Sequence, residues 1–450
     1  MAHLFCIAGC SGEHDVFTPL FSCPTCGGLV DVAHDVEQLA RTDANTWKKR
    51  ISERASSSSS ELARSGVWMF REWVMPGLAD DEIITLGEGR SPLTDVPALS
   101  AALGVSRLAV KHCGQSPTGS FKDLGMTVLV SMANAMQKRG RDVRVLLCAS
   151  TGDTSAALAA YGARAGLPVV VLLPAGKIST AQLVQPVANG AHVFALDGDF
   201  DRCMAIVKAL EGEPGVFLAN SKNPLRLEGQ KTVAFEIVRD RGYTVPDAVV
   251  VPSGNLGNVG ALFAGFKLMM SLGITDRMPR LVAAQVDAAN PLYRSFERGL
   301  VDVVPMQAQR TLASAIQIGA PVSFPRAKKA LSESNGLVSS VSESELLDAM
   351  TKADRAGLFV CPHTAAALAG VEKLVRAQKL RADDDIVVVS TAHGLKFVEQ
   401  KVAFHDGVMP LDDDTLRARR NPPLTLAADL DVVRRALADR VLQSASTVRA

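Results

Sequence analysis

The sequence predicts an α/β protein built on parallel strands, and three observations carry that prediction. From Leu108 onward, short β-branched runs alternate with Ala-rich helical segments, the pattern of strands sandwiched between helices. Three of those runs end in loops rich in Gly, Ser, Thr and Asn. A Cys-rich start, a Trp-bearing arm and a tail with Pro422-Pro423 lie outside the alternation.

A chain of 450 residues buries a large core, here expected as two domains with appendages. Residues 1–34 read as a Cys-rich, zinc-ribbon-like segment and 35–105 as an arm and the start of a large domain. Residues 106–405 read as a two-domain core and 406–450 as a tail with one helix. Lys+Arg 48 against Asp+Glu 47 leaves a net charge of +1, without the basic excess of a nucleic-acid binder. The most apolar run, Val169 to Leu173, is bounded by Pro168 and Pro174. It suits a buried strand and is far too short for a membrane span. Ile7-Ala8-Gly9-Cys10 looks like a lipoprotein cleavage box, but no Lys or Arg precedes it, so a cytoplasmic protein is expected.

Cys113, Cys148, Cys203 and Cys361 are scattered singly, as reduced thiols are. Cys6, Cys10, Cys23 and Cys26 cluster, and Cys23-Pro-Thr-Cys26-Gly-Gly28 has the form of a zinc knuckle. The Cys6-x3-Cys10 half is looser than Cys-x2-Cys, so a structural zinc and a metal-free ribbon both remain open. Four protein ligands would leave no open position for catalysis. In the arm, Trp47, Trp68 and Trp73 are expected to pack onto the body and Ser56 to Ser60 to form an exposed loop. The tail holds an amphipathic segment, Leu426 to Leu442, read as a solvated helix.

The chemistry begins at Ser116-Pro-Thr-Gly-Ser-Phe-Lys122-Asp123, which sets a lysine at a Gly-bearing helix entry. A Schiff-base lysine must be reachable, rigidly held and free of a neutralising ion pair. Val145 to Ala149 leads into Ser150-Thr-Gly-Asp-Thr-Ser155, Ala248 to Pro252 into Ser253-Gly-Asn-Leu-Gly-Asn258, and Ile386 to Val389 into Ser390-Thr-Ala-His-Gly394. In open parallel sheets, ligands gather beyond the carboxyl ends of strands. Gly254 to Asn258, at a helix start, suits a phosphate, with an ordinary strand-to-helix turn as the alternative. It is neither a Walker loop nor a dinucleotide fingerprint. The Ser150–Ser155 hydroxyls suit a carboxylate, or simply cap a helix. A lysine, a phosphate cradle and a carboxylate loop together point to pyridoxal phosphate acting on an amino acid.

These motifs resemble those of threonine synthases. The resemblance rests on Lys111 to Met126, Ala149 to Ser155, Asn220 to Lys231 and Pro252 to Asn258. Cys361-Pro-His-Thr364, Ser390 to Lys396 and the Ser65–Val74 arm are similar to the plant-type branch, whereas the Cys-rich start is more like bacterial and archaeal members. The resemblance covers residues 65–405 and implies pyridoxal-phosphate fold type II, with two open twisted, mainly parallel sheets flanked by helices. It implies that Lys122 anchors the cofactor and moves protons, and that Gly254, Asn255, Leu256, Gly257 and Asn258 cradle its phosphate. Thr391 would face the pyridine nitrogen. Asp153 stands where many members have asparagine near the cofactor's 3′-oxygen. Ser150, Thr151 and Thr154 would hold the substrate carboxylate, and Asn220, Ser221 and Arg226 the substrate phosphate. The simpler reading of Arg226 is a surface ion pair with Glu228 or Glu236.

The implied reaction turns O-phospho-L-homoserine and water into L-threonine and phosphate in a cytoplasmic homodimer, with no nucleic-acid or membrane partner. Alternatives are a cysteate synthase, a serine/threonine dehydratase-like lyase, or a non-catalytic cofactor-binding regulator. Activation by S-adenosylmethionine, as in plant-type members, is left open. His112, His363 and His393 flank the motifs and read as packing residues rather than bases.

Overall fold

A computed structural model describes residues 2–57, 59–176, 180–411 and 413–439. Ser58 of the serine run and the end of the tail segment, 440–442, lie outside the described residues. Two compact units divide at Phe397/Val398.

The first unit contains three sheets. Strands β1 (His3–Cys6), β2 (Glu13–Asp15) and β3 (Val30–Ala33) form an antiparallel sheet ordered β2-β1-β3. Next along the chain are β4 (Leu93–Asp95), β5 (Arg107–His112), β6 (Val143–Ala149), β7 (Val169–Pro174), β8 (His192–Leu196) and β9 (Gly215–Leu218). They are followed by β10 (Ala248–Pro252), β11 (Arg280–Val286), β12 (Leu337–Val341) and β13 (Asp385–Ser390). A six-stranded sheet is ordered β12-β11-β10-β13-β5-β4, parallel except for β4 on its edge. A four-stranded sheet, β8-β7-β6-β9, is wholly parallel. Two mainly parallel sheets are thus present, as the fold type requires. The central strand β10 is buried throughout and reads as one apolar run because helices cover both faces. β8, on an edge, is only partly covered.

The helix Lys122–Lys138 is buried on all sides from Asp123 to Met136, as its nearly continuous apolar sequence demands. It packs closely on the helix Leu225–Gln230. A Cβ at Gly229 would fall 1.7 Å from the Leu124 carbonyl oxygen, and one at Gly125 would fall 2.8 Å from that of Arg226. Glycine at both positions therefore brings Lys122 and Arg226 onto touching helices.

The arm docks on the same helix. Trp68 Nε1 donates to Thr127 Oγ1 at 2.8 Å, and Trp47 meets Trp73 edge-on at 5.3 Å. All three tryptophans are buried. Of the serine run, Ser56 ends the helix Ala44–Ser56, and Ser60 caps Glu61–Arg64 by accepting from Ala63 N.

In the second unit, the helix Leu430–Leu437 is capped by Asp429, starts four residues later than the sequence segment and is solvated along its length. Among the described residues, no helix is long and apolar enough to cross a membrane.

Candidate active site

Parallel pairing places the site. β5, β13 and β10 lie side by side, so the turn leading to Lys122, the loop after Ser390 and the loop after Pro252 open at one end of the large sheet. β6 and β9 pair likewise, setting Asn220 beside Ala149 at the end of β6. The lysine turn is tied to the β13 loop by Phe121 N donating to Thr391 O at 2.8 Å and His393 N to Gly119 O at 2.9 Å. Asp123 fixes the turn from inside, accepting from Thr118 N at 2.7 Å and Thr118 Oγ1 at 2.5 Å. Burial pushes the Asp123 carboxyl up to about 7 against those two bonds.

Lys122 opens its helix, with its ammonium position 4.0 Å from the centre of the Phe121 ring. Among the described residues, no carboxylate forms an ion pair with it; Asp153 pairs with Lys396 at 3.0 Å. Burial pulls the Lys122 amine down to about 8; Asp153 opposes this, whereas Arg226 and Lys396 reinforce it. That is the environment of an amine available as a nucleophile near neutral pH.

Gly254 to Asn258 runs from β10 into the helix Gly257–Ser271. A Cβ on Gly254 would be 2.8 Å from Ile316 Cα, so this backbone lies too close for a side chain. Leu256 takes φ +69°, a left-handed conformation unusual for a branched residue and common at ligand-binding turns. Asn255 holds the loop in place by accepting from Ser323 N (3.1 Å) at its carbonyl and from Val322 N (3.3 Å) at Oδ1. Asn258 donates to Pro252 O at 2.6 Å and lines a small cavity that also exposes Thr391, Phe121 and Gln230.

The Ser150–Ser155 loop opens the helix Asp153–Ala165, placing the half-buried Ser150, Thr151 and Thr154 and the buried Ser155 at a helix N-terminus. Ser150 Oγ accepts from Gly152 N at 3.3 Å. Asn220 has its amide on the backbone of Ala149 in both directions, 3.2 and 3.1 Å. It braces β6 against β9, a use that its place in the motif does not reveal. Ser221 Oγ accepts from Asn255 Nδ2 at 3.4 Å, so the loops after β9 and β10 meet.

Arg226 is buried, and this replaces the surface ion pair considered from sequence. Glu228 instead binds His34 and Lys231, and Glu236 binds Lys111. The guanidinium donates to Ala219 O at 3.2 Å and Thr154 Oγ1 at 3.4 Å, while its Nε has no partner among the described residues. Burial lowers its proton affinity to about 10, which leaves it charged at neutral pH. A buried cation held only by neutral groups calls for an anion.

Thr391 is buried, with its Oγ1 4.0 Å from Cys361 Sγ, which is itself 3.1 Å from Thr364 Oγ1. His363 Nε2 accepts from Ala315 N at 2.9 Å, steadying the segment that packs on Gly254; His393 Nδ1 accepts from Leu395 N at 3.1 Å. Lys396 and Gln185, which reach into the site, had no role assigned from sequence. Only the tertiary fold brings them there.

At the other end of the chain, the sulfurs of Cys6, Cys10, Cys23 and Cys26 all lie within 4.8 Å of one another, Cys6 and Cys26 at 3.6 Å. Gly28 N donates to Cys26 Sγ at 3.4 Å.

A family model described as pyridoxal-phosphate dependent enzyme matches residues 84–392. The chain is 50% identical over 381 residues to threonine synthase 2, chloroplastic, of Arabidopsis thaliana, covering 84% of this chain and 74% of that protein. It is 38% identical over 429 residues to the threonine synthase of Methanocaldococcus jannaschii, covering 95% and 98%. The crystal structure of threonine synthase from Escherichia coli superposes with a TM-score of 0.65 at 25% identity, over 98% of this chain and all of that one.

Proposed function

We infer the working of this site from the premise that the chain belongs to the threonine synthase family of pyridoxal-phosphate-dependent enzymes. It converts O-phospho-L-homoserine and water to L-threonine and phosphate. The observation that carries the substrate assignment is Arg226, a buried guanidinium that among the described residues meets no carboxylate and donates to Ala219 O and Thr154 Oγ1. A second anion site next to a cofactor-phosphate cradle is superfluous for a dehydratase but fits a phosphorylated amino acid.

The residues fit pyridoxal phosphate. Gly254 permits the close backbone approach, the helix Gly257–Ser271 turns its N-terminus toward the cradle, and Lys122 is an unpaired amine. When bound, the cofactor supplies the electron sink that makes substrate Cα and Cβ protons removable. Lys122 Nζ takes and returns those protons. With a proton affinity of about 8, it has both forms within reach near neutral pH. Thr391 offers a hydroxyl to the ring, which does not force protonation there as a carboxylate would. Ser150, Thr151 and Thr154 receive the substrate carboxylate at a helix N-terminus. Ser221 and Arg226 orient the phosphate at Cγ for departure, with Asn220 holding their strand end in register.

Four thiolates around a tetrahedral zinc at about 2.3 Å stand a little under 4 Å apart, which the Cys6, Cys10, Cys23 and Cys26 sulfurs approach. We assign them one structural zinc. The family resemblance supports a homodimer. The scattered unpaired thiols support a cytoplasmic setting, although the plant relative is named chloroplastic.

The test is to supply purified, cofactor-loaded protein with O-phospho-L-homoserine and follow phosphate and threonine together. Equal amounts of both are expected. Formation of 2-oxobutyrate from L-threonine, with phosphohomoserine left untouched, would overturn the reading.

A further inference from the structure

The loop after β13 sends one long side chain across the site. Lys396, on the turn Gly394–Phe397, places Nζ 3.0 Å from Asp153 Oδ1 and donates to Thr118 O and Gln185 Oε1, each at 2.9 Å. Those contacts use all three ammonium donors. Gln185 Nε2 also donates to Thr118 O, at 3.1 Å. The stem lies over Gly119, where φ is +83° and an added Cβ would be 3.0 Å from Lys396 Cδ, so the crossing needs glycine beneath it. Both ends of the ion pair are largely buried, with Lys396 14% and Asp153 8% exposed.

The crossing joins parts that otherwise depend on separate sheets. Lys396 follows β13 of the large sheet, Asp153 opens the helix after β6 of the small one, and Thr118 belongs to the turn that carries Lys122. Asp153, Arg226, Lys396 and Cys361 are the leading charged or titratable groups acting on the Lys122 amine. Of these, only Asp153 is a carboxylate. A lysine that must attack a carbonyl cannot be held as an ammonium in a salt bridge.

We propose that Lys396 is a positioning residue that captures the Asp153 carboxylate and so keeps it from pairing with Lys122. This rests on Lys122 being the cofactor-anchoring amine. Without Lys396, Asp153 loses its ion-pair partner, and the Lys122 amine, on which its charge already acts, becomes its partner. The amine then holds its proton to higher pH and reacts more slowly with aldehydes.

The test uses cofactor-free full-length protein, with the pH dependence of Lys122 acetylation followed by mass spectrometry. Lys396→Met should raise the labelling midpoint by about one pH unit, roughly tenfold less labelling at a fixed pH below it. Lys396→Arg, which keeps the charge, should stay near wild type. The double variant Asp153→Asn/Lys396→Met should return to the wild-type midpoint or fall below it, because the released carboxylate is gone. An unshifted Lys396→Met midpoint would overturn the proposal. So would a double variant as shifted as the single one, since mere loosening of the turn is not cured by Asp153→Asn. If Lys396→Met does not fold, Asp153→Asn alone decides. Its midpoint should not rise, and a rise overturns the proposal. Threonine formation is scored separately. A labelling shift in a protein that makes no threonine would reject the assigned reaction and leave the ion-pair proposal standing.

Discussion

Arg226 Nη2 lies 3.4 Å from Thr154 Oγ1, which links the helix Leu225–Gln230 to the loop assigned to the substrate carboxylate. One guanidinium thus faces both loops that would grip the substrate. A charge-assisted hydrogen bond contributes about 1.5–3 kcal/mol, so Arg226→Met is expected to lower kcat/KM by roughly 10- to 100-fold, mainly through KM. Removing a buried cation that lacks a counter-ion also lifts a desolvation cost, so the melting temperature of the apoprotein should hold or rise. Steady-state kinetics beside a thermal melt tests this. A sharp loss of stability at unchanged KM would make Arg226 a structural residue.

Lys122→Ala should keep the fold, lose the absorbance of lysine-bound cofactor and abolish threonine formation. Substantial turnover in that variant would show the wrong lysine had been chosen. The proton affinity of Lys122 falls from 10.5 to about 8 on folding, mainly through burial. Between those values the unfolded chain binds more protons, so this group makes the apoprotein more stable as pH rises from about 8 to 10.5. Its penalty is present in full below 8. The stability slope over that window should be shallower in Lys122→Ala, and cofactor uptake by wild type should quicken up to about pH 8 and then level.

Strand ends and their loops were legible because buried parallel strands are short apolar runs that stop at polar, glycine-bearing loops. Val145–Ala149, Ala248–Pro252 and Ile386–Val389 fall within β6, β10 and β13. Lys122 and the cradle glycines were readable because their roles need particular residue types at particular turns. Arg226 was not legible as buried, since Glu228 sits two residues away and only the fold shows that His34 and Lys231 take it. Asn220 is ambiguous in another way, because an amide beside a motif serine can bind a ligand or brace a strand, and only the fold shows its bonds to Ala149. Lys396 closes the Ser390–Lys396 motif, but nothing local shows what it bonds: its partners lie 278, 211 and 243 positions away (Thr118, Gln185 and Asp153), and sequence periodicity does not reach that far.

The Cys6, Cys10, Cys23 and Cys26 cluster should bind one zinc per chain, released on thiol modification and read with a metal-sensitive dye. Cys23→Ser should lose the metal and lower the melting temperature by several degrees, because the ribbon is docked to the body by Asp31 and Arg326, 2.7 Å apart. Activity should fall less than stability, since no cysteine of the cluster enters the site. Purified protein that holds no zinc, with Cys23→Ser melting like wild type, would mark the ribbon as metal-free.

The final prediction concerns the helix that carries Arg226. Glu228 Oε2 is 2.5 Å from both His34 Nε2 and Lys231 Nζ, and all three side chains are buried. His34 is held neutral, first by burial and then by the Lys231 charge, so Lys231 is the only formal counter-ion in the group. Lys231→Met strands the carboxylate, and breaking a buried pair from one side costs about 3–5 kcal/mol. Adding Glu228→Gln removes the stranded charge and should recover most of that loss, because the penalty is desolvation of an unpaired ion and not lost packing. A double variant no more stable than Lys231→Met would assign the cost to packing instead. Glu228 is two residues from Arg226, so the single variant should also raise KM, and the double variant should bring KM back with the stability.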